Sequence, residues 1–431
     1  MNPKKILSIV LPVLTAFAAF ANPLSGTWFK MVTDKDPVSY KVGEPIVFTL
    51  TVENAKKEIP EGCYYFKWIR SGDDGVVEEG IIPVSVKPFV YTTKIDRPGF
   101  VRFYTLLLNS EKKELPARFN SYGAGAEIEK LQSLPEPGDF DAFWSRQRAK
   151  LDKVPVKANM VEVPSKDEKI RIYAVSIDCA GPQPATGYLT VPKAVDSGSK
   201  FPCRVKFHGY GVYAPYRAPK KGPENEIVFD LNAHGALLEP MGGDAEYAKK
   251  LRESVKSNGC DYGFDQKQNS NPETAYFNGM VLRVIRALQY VKTLPGWNGK
   301  DLIASGGSQG GMQAIWAAGC GEGVSMVSSS VTWCCDLGGE TIGRNRENWY
   351  VKWVPALGYF DPVNFAKRIP LSCRAEIPQA GLGDYTCPPS GLAILYNNIK
   401  GPKKITWVQG SDHGFIPRKY EGRDAVRSHG W

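Results

Sequence analysis

A serine surrounded by glycines is the first candidate for chemistry in this chain. Residues 306–310 read Gly-Gly-Ser-Gln-Gly, with Ser308 at the centre of a G-x-S-x-G pattern. The apolar run DLIAS precedes the pattern, and a helix-compatible run follows it. A serine raised on such a strand-to-helix turn can attack an acyl carbonyl, because its small neighbours leave the hydroxyl accessible. A phosphate-binding turn or a merely tight turn would carry similar glycines, so the serine needs partners.

A serine nucleophile needs a histidine base, which follows the serine in this kind of strand–helix arrangement. Two of the four histidines lie beyond Ser308, namely His413 and His429. His413 follows the apolar run ITWV, where a loop can bring it back over the serine. His429 is close to the C-terminus and follows no predicted strand. We therefore interpret His413 as the base, with a surface-loop histidine as the alternative.

The base in turn needs a carboxylate that orients its ring. Asp384 ends the apolar stretch AEIPQAGLG and precedes YTCPPS, whose prolines open the next predicted helix. This strand-end position suits an orienting carboxylate, although a helix cap would also use an aspartate there. Asp412 adjoins His413 and would have difficulty turning towards its ring. The sequence therefore favours Asp384.

Negative charge that develops on an acyl carbonyl oxygen requires N–H donors. The backbone N–H of Gln309, at the start of the predicted helix, points to the place where this charge develops. A second donor should come from an early strand-end turn, and the sequence FHGYG offers the N–H of Tyr210. His208 in that turn precedes the nucleophile, so we interpret it as a structural residue.

The elements that must position these residues alternate between strands and helices after Asp139. Buried strands are predicted for RVKF, EIVFDLN, DLIAS, VSMVSSSVTW, RAEIPQAGL and KKITWVQG. Apolar residues spaced by three and four over 277–291 predict a helix, and QGGMQAIWAAGC and PPSGLAILYNNI predict two more. This alternation predicts an α/β domain over residues 126–431, with a mostly parallel sheet covered on both faces.

The N-terminal part has a different pattern. Apolar residues recur with a period of two in IVFTLTV, and Pro98-Gly99 is a turn signal before another strand. Several short strands with regular turns predict an immunoglobulin-like β-sandwich over residues 22–125. Such a domain could act as an accessory module beside the site or as a spacer.

The first 21 residues predict where in or outside the cell the protein is located. A basic start and an apolar run precede the small-residue cleavage site Ala19-Phe20-Ala21, which indicates a signal peptide over residues 1–21. An uncleaved anchor is the alternative. We expect an exported protein, periplasmic or secreted, with no membrane span in the mature chain. Export would permit disulfides among the nine cysteines, but their spacing decides no pairing.

Composition limits the classes of function. The 431 residues are 42% apolar and 23% charged, which is enough to bury the cores of two domains. The net charge of +9 is scattered and forms no basic stripe with interleaved aromatic residues, so nucleic acid is not an expected partner. The cysteines and histidines also lack the short spacing of a zinc site.

Beyond these residues, the second part of the chain resembles the acetyl xylan esterase and cephalosporin C deacetylase family of carbohydrate esterases, which have the α/β-hydrolase fold. The resemblance runs from PEPGDFDAFW to GSDHGF and is most specific in FHGYG, GGSQGG and GLGDYTCPPS. It implies a nucleophile, an acid, a base and two oxyanion donors: Ser308, Asp384, His413 and the amides of Tyr210 and Gln309. It also implies acetylated sugars such as xylan as substrates, and neither a metal nor an organic cofactor.

The chain departs from the family pattern at two places. Asn232, Ala233 and His234 stand where the family usually has Arg-Gly-Gln, and Gly414 follows His413 where the family usually has a glutamate. We expect the pocket wall and the packing of the histidine loop to differ. A homo-oligomer, common in the family, is left open.

Aromatic residues are frequent between the predicted strand that ends at Trp333 and the strand that carries Asp384. They are Trp349, Tyr350, Trp353, Tyr359 and Phe360. Insertions at this point of the fold lie above the nucleophile, so Trp349, Trp353 and Tyr210 are predicted to contact a sugar, with plain packing as the alternative. Other functions left open are a glucuronoyl esterase, a peptidase and a glycan-binding protein without catalysis.

Overall fold

The structure, a computed structural model, describes residues 29–52, 62–115, 120–213, 216–347, 349–413 and 426–431. The predicted signal peptide and Gly414 lie outside the described residues. Within the described ranges, no helix is both long and apolar enough to cross a bilayer. The strands form two small antiparallel sheets near the N-terminus and one sheet of ten strands.

The first seven strands build the two small sheets. They are Phe29–Thr33 (β1), Ile46–Val52 (β2), Tyr65–Gly72 (β3), Glu78–Pro83 (β4), Phe89–Thr93 (β5), Gly99–Leu108 (β6) and Asn120–Ala126 (β7). One sheet has the order β1-β2-β5 and the other β4-β3-β6-β7. Ile46, Phe48 and Leu50 are buried, as the period of two predicts. They share one apolar core with Phe66 and Phe103 of the other sheet, so the two sheets pack face to face.

The large sheet contains the remaining strands. They are Ala158–Val163 (β8), Ile170–Ile177 (β9), Ala185–Pro192 (β10), Phe201–Phe207 (β11), Ile227–Asn232 (β12), Trp297–Gly307 (β13), Met326–Ser330 (β14), Arg374–Gly381 (β15), Lys403–Val408 (β16) and Val426–Gly430 (β17). Their order is β17-β16-β15-β14-β13-β11-β12-β10-β9-β8. The run from β12 to β16 is parallel, and antiparallel strands flank it on both sides. The predicted mostly parallel sheet is therefore confirmed.

Helices cover this sheet. They are Phe140–Asp152 (α1), Ala245–Ser254 (α2), Gln266–Asn269 (α3), Tyr276–Val291 (α4), Gln309–Gly319 (α5), Pro362–Ala366 (α6) and Pro389–Asn398 (α7). Every residue of α5 is buried, and its sequence is accordingly apolar or small except for Gln309 and Gln313, whose amides form hydrogen bonds. The strand predicted to reach Trp333 ends earlier, at Ser330, because Val331 has a φ of 39° and cannot continue an extended strand.

The small sheets and the large sheet are packed together. Phe100 of β6 is fully buried and its ring centroid lies 5.5 Å from that of Trp407 in β16. Asp73, also buried, accepts hydrogen bonds from the backbone N–H groups of Phe100 and Asn345, and burial raises its pKa to about 6. The N-terminal sheets thus contact segments that flank the candidate site. None of the nine cysteines, all of them within the described ranges, forms a disulfide.

Candidate active site

Ser308 lies on the turn between β13 and α5, as the sequence predicts. Its φ of 56° is rare for any residue other than glycine, so the turn is strained. The glycines on both sides are required by close packing. A Cβ on Gly306 would lie 2.5 Å from Gly310, and a Cβ on Gly310 would lie 2.2 Å from the carbonyl oxygen of Phe207. Small neighbours therefore let the serine stand at the N-terminus of α5.

Two hydrogen bonds connect Ser308 to a buried carboxylate. His413 Nε2 lies 3.1 Å from Ser308 Oγ, and His413 Nδ1 lies 3.0 Å from Asp384 Oδ2. This geometry fits a neutral imidazole whose Nδ1–H donates to the carboxylate and whose Nε2 accepts from the serine hydroxyl. The structure thus brings together the three residues that the sequence predicts to act as a unit.

Both carboxylate oxygens of Asp384 accept hydrogen bonds. Its side chain is fully buried, and its second oxygen, Oδ1, accepts the backbone N–H of Cys387 at 2.9 Å. The carboxylate comes from the loop after β15, and His413 comes from the loop after β16, which is the adjacent parallel strand. The carboxyl ends of parallel strands lie at one edge of the sheet, so these loops meet above Ser308.

Neighbouring charges set the proton affinity of the ring. Burial by itself lowers the pKa of His413, but the hydrogen bond and charge of Asp384 oppose this effect. The negative charges of Asp412 and Glu347 act in the same direction as Asp384. The net result is a pKa above the ordinary value of 6.5. The imidazole is therefore a stronger base than a free histidine side chain.

The predicted oxyanion donors lie on two turns that one tyrosine joins. The hydroxyl of Tyr262 accepts the N–H of Gly211 at 2.7 Å and donates to Gln309 Oε1 at 2.8 Å. Gln309 Nε2 also faces the carbonyl oxygen of Gly209 at 3.4 Å. Within the described ranges, the backbone N–H groups of Tyr210 and Gln309 have no hydrogen-bond partner. Both amides are thus available to an incoming oxygen atom.

The other histidines have different positions. His208 Nε2 accepts the N–H of Ala233 at 3.0 Å, which agrees with its interpretation as a structural residue. His429 lies inside β17, with its Nε2 3.6 Å from Asp36 Oδ2, so the sequence analysis missed a strand at this end of the chain. The reason is that residues 426–430 pair with β16 along the edge of the sheet.

His234, one of the residues that depart from the family pattern, supports the turn of Tyr210. Its Nε2 lies 3.0 Å from the carbonyl oxygen of Gly211, and its Nδ1 lies 2.7 Å from the hydroxyl of Tyr276. Burial, followed by the charge of His208, lowers the pKa of His234 to about 3. The ring is therefore neutral, donating from Nε2 and accepting at Nδ1. Sequence reasoning noted this departure but missed its role.

A group of aromatic rings lies beside the two turns. Trp349 is 39% exposed and stacks on Trp333 with ring centroids 5.2 Å apart. The ring of Tyr210 meets Trp349 edge to face at 4.9 Å. Trp333 is connected to Ser308, because its backbone N–H donates to the carbonyl oxygen of Ser308 at 3.1 Å. Phe264, which sequence reasoning missed, completes the group at 5.3 Å from Trp349.

The other predicted aromatic residues are not part of this group. Trp353 packs close to Gly338 and Gly358, where a Cβ would lie 3.3 Å and 3.6 Å from its ring. Tyr359 and Phe360 lie against α1, with the ring of Tyr359 centred 4.4 Å from that of Phe143. Sequence spacing cannot separate these cases, because all five rings occupy one irregular segment. The predicted sugar contacts thus divide between Tyr210 and Trp349, which meet, and Trp353, which the structure does not bring to them.

Within the described part of the chain, one group of side chains has the composition of a metal site. The ligand atoms of Asp384, Cys387 and His413 all lie within 4.8 Å of one another. Both ring nitrogens of His413 are already in hydrogen bonds, and burial raises the pKa of the Cys387 thiol well above its ordinary value. A metal ion would need the thiolate and a free ring nitrogen, so these residues suit proton transfer better than metal binding.

A mixed sheet with a parallel central run, covered by helices, with a serine at the β13–α5 turn and an acid and a histidine on later loops, defines an α/β-hydrolase. Residues 127–425 match the family model described as acetyl xylan esterase, AXE1. The chain belongs to that family.

Relatives of known identity agree with this assignment. The acetyl esterase Axe7A of Xylanibacter ruminicola is 29% identical over 291 residues, which cover 64% of this chain and 63% of that protein. This chain thus matches less than two thirds of the length of that relative. The solved acetyl xylan esterase from Paenibacillus sp. R4 is 24% identical with a TM-score of 0.54, covering 68% of this chain and 96% of its own. Acetyl xylan esterase 1 from Thermoanaerobacterium sp. is 20% identical with a TM-score of 0.53, and the match covers 68% of this chain and 94% of that chain. These two structures share the α/β-hydrolase fold with this chain.

Proposed function

We propose that this protein is an exported serine esterase that removes acetyl groups from acetylated sugars such as xylan or xylo-oligosaccharides. The observation that carries the proposal is the pair of hydrogen bonds from Asp384 through His413 to Ser308. Membership of the acetyl xylan esterase family supports the acyl group and the substrate class. The predicted signal peptide over residues 1–21 supports export.

The reaction proceeds through an acetyl-enzyme. Ser308 Oγ attacks the acetyl carbonyl carbon while His413 Nε2 takes the hydroxyl proton, and Asp384 holds the Nδ1–H of the ring. The N–H groups of Tyr210 and Gln309 stabilise the negative charge on the carbonyl oxygen. His413 then returns the proton to the departing sugar oxygen. Water, deprotonated by the same ring, releases acetate and restores the serine.

The aromatic group beside the turns supports a sugar as the leaving alcohol. Trp349 and Tyr210 present large rigid faces close to the nucleophile, and rings of this kind contact the apolar faces of sugars. We propose that Trp349 is the main sugar contact, with Tyr210 as its neighbour.

We further propose that the N-terminal sandwich is immunoglobulin-like. Its three-stranded and four-stranded antiparallel sheets share one core, and non-consecutive strands pair, β2 with β5 and β3 with β6. Pairings of this type are typical of Greek-key sandwiches.

The test of the function is hydrolysis by the purified protein and by Ser308→Ala. We expect the protein to release acetate from an aryl acetate and from acetylated xylan, and Ser308→Ala to lose about 10⁴-fold or more of kcat. The alanine variant should fold normally, as judged by circular dichroism, because it removes one oxygen atom from a small side chain. Unchanged turnover in Ser308→Ala would exclude the mechanism. Activity on glucuronoyl esters or peptides, with none on acetyl esters, would move the protein to another class of hydrolase.

A further inference from the structure

The side chain of Gln409 connects the histidine loop to the N-terminal sandwich. It follows β16 directly, four positions before His413, and is only 4% exposed. Its Nε2 donates to the carbonyl oxygen of Gly123 at 2.8 Å, and its Oε1 accepts the N–H of Gly123 at 2.9 Å. The NH₂ group and the oxygen atom of the Gln409 side chain thus both form hydrogen bonds with the backbone of Gly123 in β7.

The place of Gly123 in its sheet explains this pairing. β7 is the outermost strand of the sheet β4-β3-β6-β7, so one side of it has no strand neighbour in that sheet. A glutamine amide carries a donor and an acceptor side by side, as a backbone residue of a neighbouring strand would. Gln409 therefore takes the place of a strand neighbour at Gly123. Leaving the two buried backbone groups unpaired would be costly.

The loop that carries Asp384 touches the same strand. A Cβ on Gly123 would lie 2.3 Å from the carbonyl oxygen of Leu382, and a Cβ on Gly383 would lie 2.1 Å from the carbonyl oxygen of Ser121. The two backbones are therefore in direct contact, without side chains between them. Any side chain added at these glycines would push β7 and the loop apart.

The acid loop and the histidine loop are also joined to each other. The N–H of Leu382 donates to the carbonyl oxygen of Val408, and the N–H of Gly383 donates to that of Ser411, both at 3.0 Å. Three segments thus form one unit connected by hydrogen bonds and close backbone contacts: β7, the loop of Asp384 and the loop of His413. In this unit, Gln409 supplies the side-chain contact from the histidine loop to β7.

We propose that Gln409 and β7 form a clamp that sets the position of His413 relative to Asp384, so that the N-terminal sandwich is a working part of the active site. Gln409 and Gly123 touch no substrate and act through the two loops, which makes them positioning residues. The inference rests on the proposed function only for its kinetic readout.

If the clamp is loosened, the pKa of His413 should change, whereas a variant that only destabilises the fold should leave this pKa unchanged. The ring of His413 is faced by the carboxylates of Asp384, Asp412 and Glu347 and by the uncharged Cys387 and Ser308. Of these carboxylates, Asp384 makes the hydrogen bond to Nδ1 of the ring. If the two loops separate, this contact weakens, and the pKa of His413 falls.

The experiment combines an NMR titration with kinetics. The resonance of His413 is assigned, among four histidines, as the signal that is absent in His413→Gln. In Gln409→Leu, which keeps the bulk but loses both hydrogen bonds, we expect the pKa of His413 to fall by about half a unit or more. We expect kcat on an aryl acetate to fall at least tenfold while KM changes less than threefold. Gln409→Asn, a shorter amide, should give a smaller change in the same direction.

A matched control separates positioning from stability. Leu50 is buried in the sandwich core on β2, in the sheet that does not contain β7, so Leu50→Ala should lower the unfolding temperature without moving the His413 titration or kcat. If Gln409→Leu does not fold, Gln409→Asn carries the test. A folded clamp variant with an unchanged titration and kcat would overturn the clamp and leave the proposed function intact. A wild-type protein that hydrolyses no acetyl ester would overturn the proposed function, while the titration still decides the clamp.

Discussion

At the scale of single residues, the site is defined by one proton path. Ser308, His413 and Asp384 come from three loops, and the two hydrogen bonds between them are 3.1 and 3.0 Å long. Asp384 is fully buried, whereas Asp412, which directly precedes His413 in the chain, is partly exposed. The two aspartates both raise the pKa of the ring, but Asp384 makes the hydrogen bond to Nδ1.

The first prediction separates the two aspartates. Asp384→Asn should lower kcat by about 10⁴-fold, because an amide at this position favours the wrong tautomer of His413. Asp412→Asn removes a charge near the ring but keeps the hydrogen bond of Asp384 to Nδ1, so it should retain most of the activity above neutral pH. Steady-state kinetics on an aryl acetate measure both variants. If Asp412→Asn lost the activity and Asp384→Asn kept it, the assignment of the acid would be wrong.

The second prediction concerns pH. The pKa of His413 is raised above 6.5, and only the neutral ring can take the proton of Ser308. kcat/KM should therefore fall as the pH decreases through a value above 6.5, reaching about a tenfold loss per pH unit.

Glu347→Gln provides the control for this profile. Its carboxylate raises the pKa of His413, so the variant should show a lower apparent pKa and an unchanged rate at high pH. An acid limb below 6.5 in the wild-type protein would contradict the assignment of His413.

At the scale of elements, the site depends on the segment between β14 and β15. Its first part turns at Cys334 and Asp336, both with positive φ, and carries Trp349 to the ring of Tyr210. Its later part returns Tyr359 and Phe360 to the core. One irregular segment thus supplies both the exposed ring of Trp349, which meets Tyr210, and the buried rings of Tyr359 and Phe360.

The third prediction tests the exposed ring. Trp349→Ala should lower kcat/KM on acetylated xylo-oligosaccharides about tenfold, since it removes a large, rigid apolar ring face from the proposed sugar contact. Ethyl acetate has no sugar ring that could stack on Trp349, so its hydrolysis should change much less. Trp353→Phe, at the ring that packs elsewhere, should leave both rates near the wild-type values. Equal losses on both substrates in Trp349→Ala would assign the ring to packing.

The fourth prediction concerns the acyl group. If the buried rings and glycines around Ser308 leave room only for a small acyl chain, each methylene that fails to fit costs about 1–3 kcal/mol. Rates should therefore fall from acetyl to butyryl to octanoyl esters of the same alcohol. A preference for the octanoyl ester, with no acetate released from xylan, would place the protein in another group of esterases.

At the scale of the whole molecule, the N-terminal sandwich and the large sheet share buried surface. Phe100 belongs to the same apolar core as Trp407 and the helices of the large sheet. Arg102 of β6 pairs with Glu347 at 2.6 Å, next to the histidine whose pKa that carboxylate raises. The buried packing of Phe100 and the ion pair of Arg102 with Glu347 therefore favour an accessory role of the sandwich over that of a spacer.

The fifth prediction follows from this shared core. A chain that begins at Glu127 should be poorly soluble or unfold at a much lower temperature, because it exposes the apolar surface that Phe100 covers. In the full chain, Phe100→Ala should cost about 3–5 kcal/mol in the free energy of unfolding, measured with denaturant. A truncated chain with the stability and activity of the full protein would identify the sandwich as a spacer.

The sequence by itself determined the parts that depend on local spacing. The glycines around Ser308, the strand–helix alternation and the chain order of Ser308, Asp384 and His413 all reflect rules that act within one turn or one β–α unit. The same holds for the period of two in β2, where Ile46, Phe48 and Leu50 are buried.

Only the tertiary structure decided which distant residues meet. Tyr262 joins the turns of Gly211 and Gln309, and Gln409 pairs with Gly123 across 286 positions of the chain. Trp349 and Trp353 look alike in sequence, yet only Trp349 meets Tyr210. Such contacts depend on how separate elements pack, and no local period or propensity encodes the packing of one loop against a strand from another sheet.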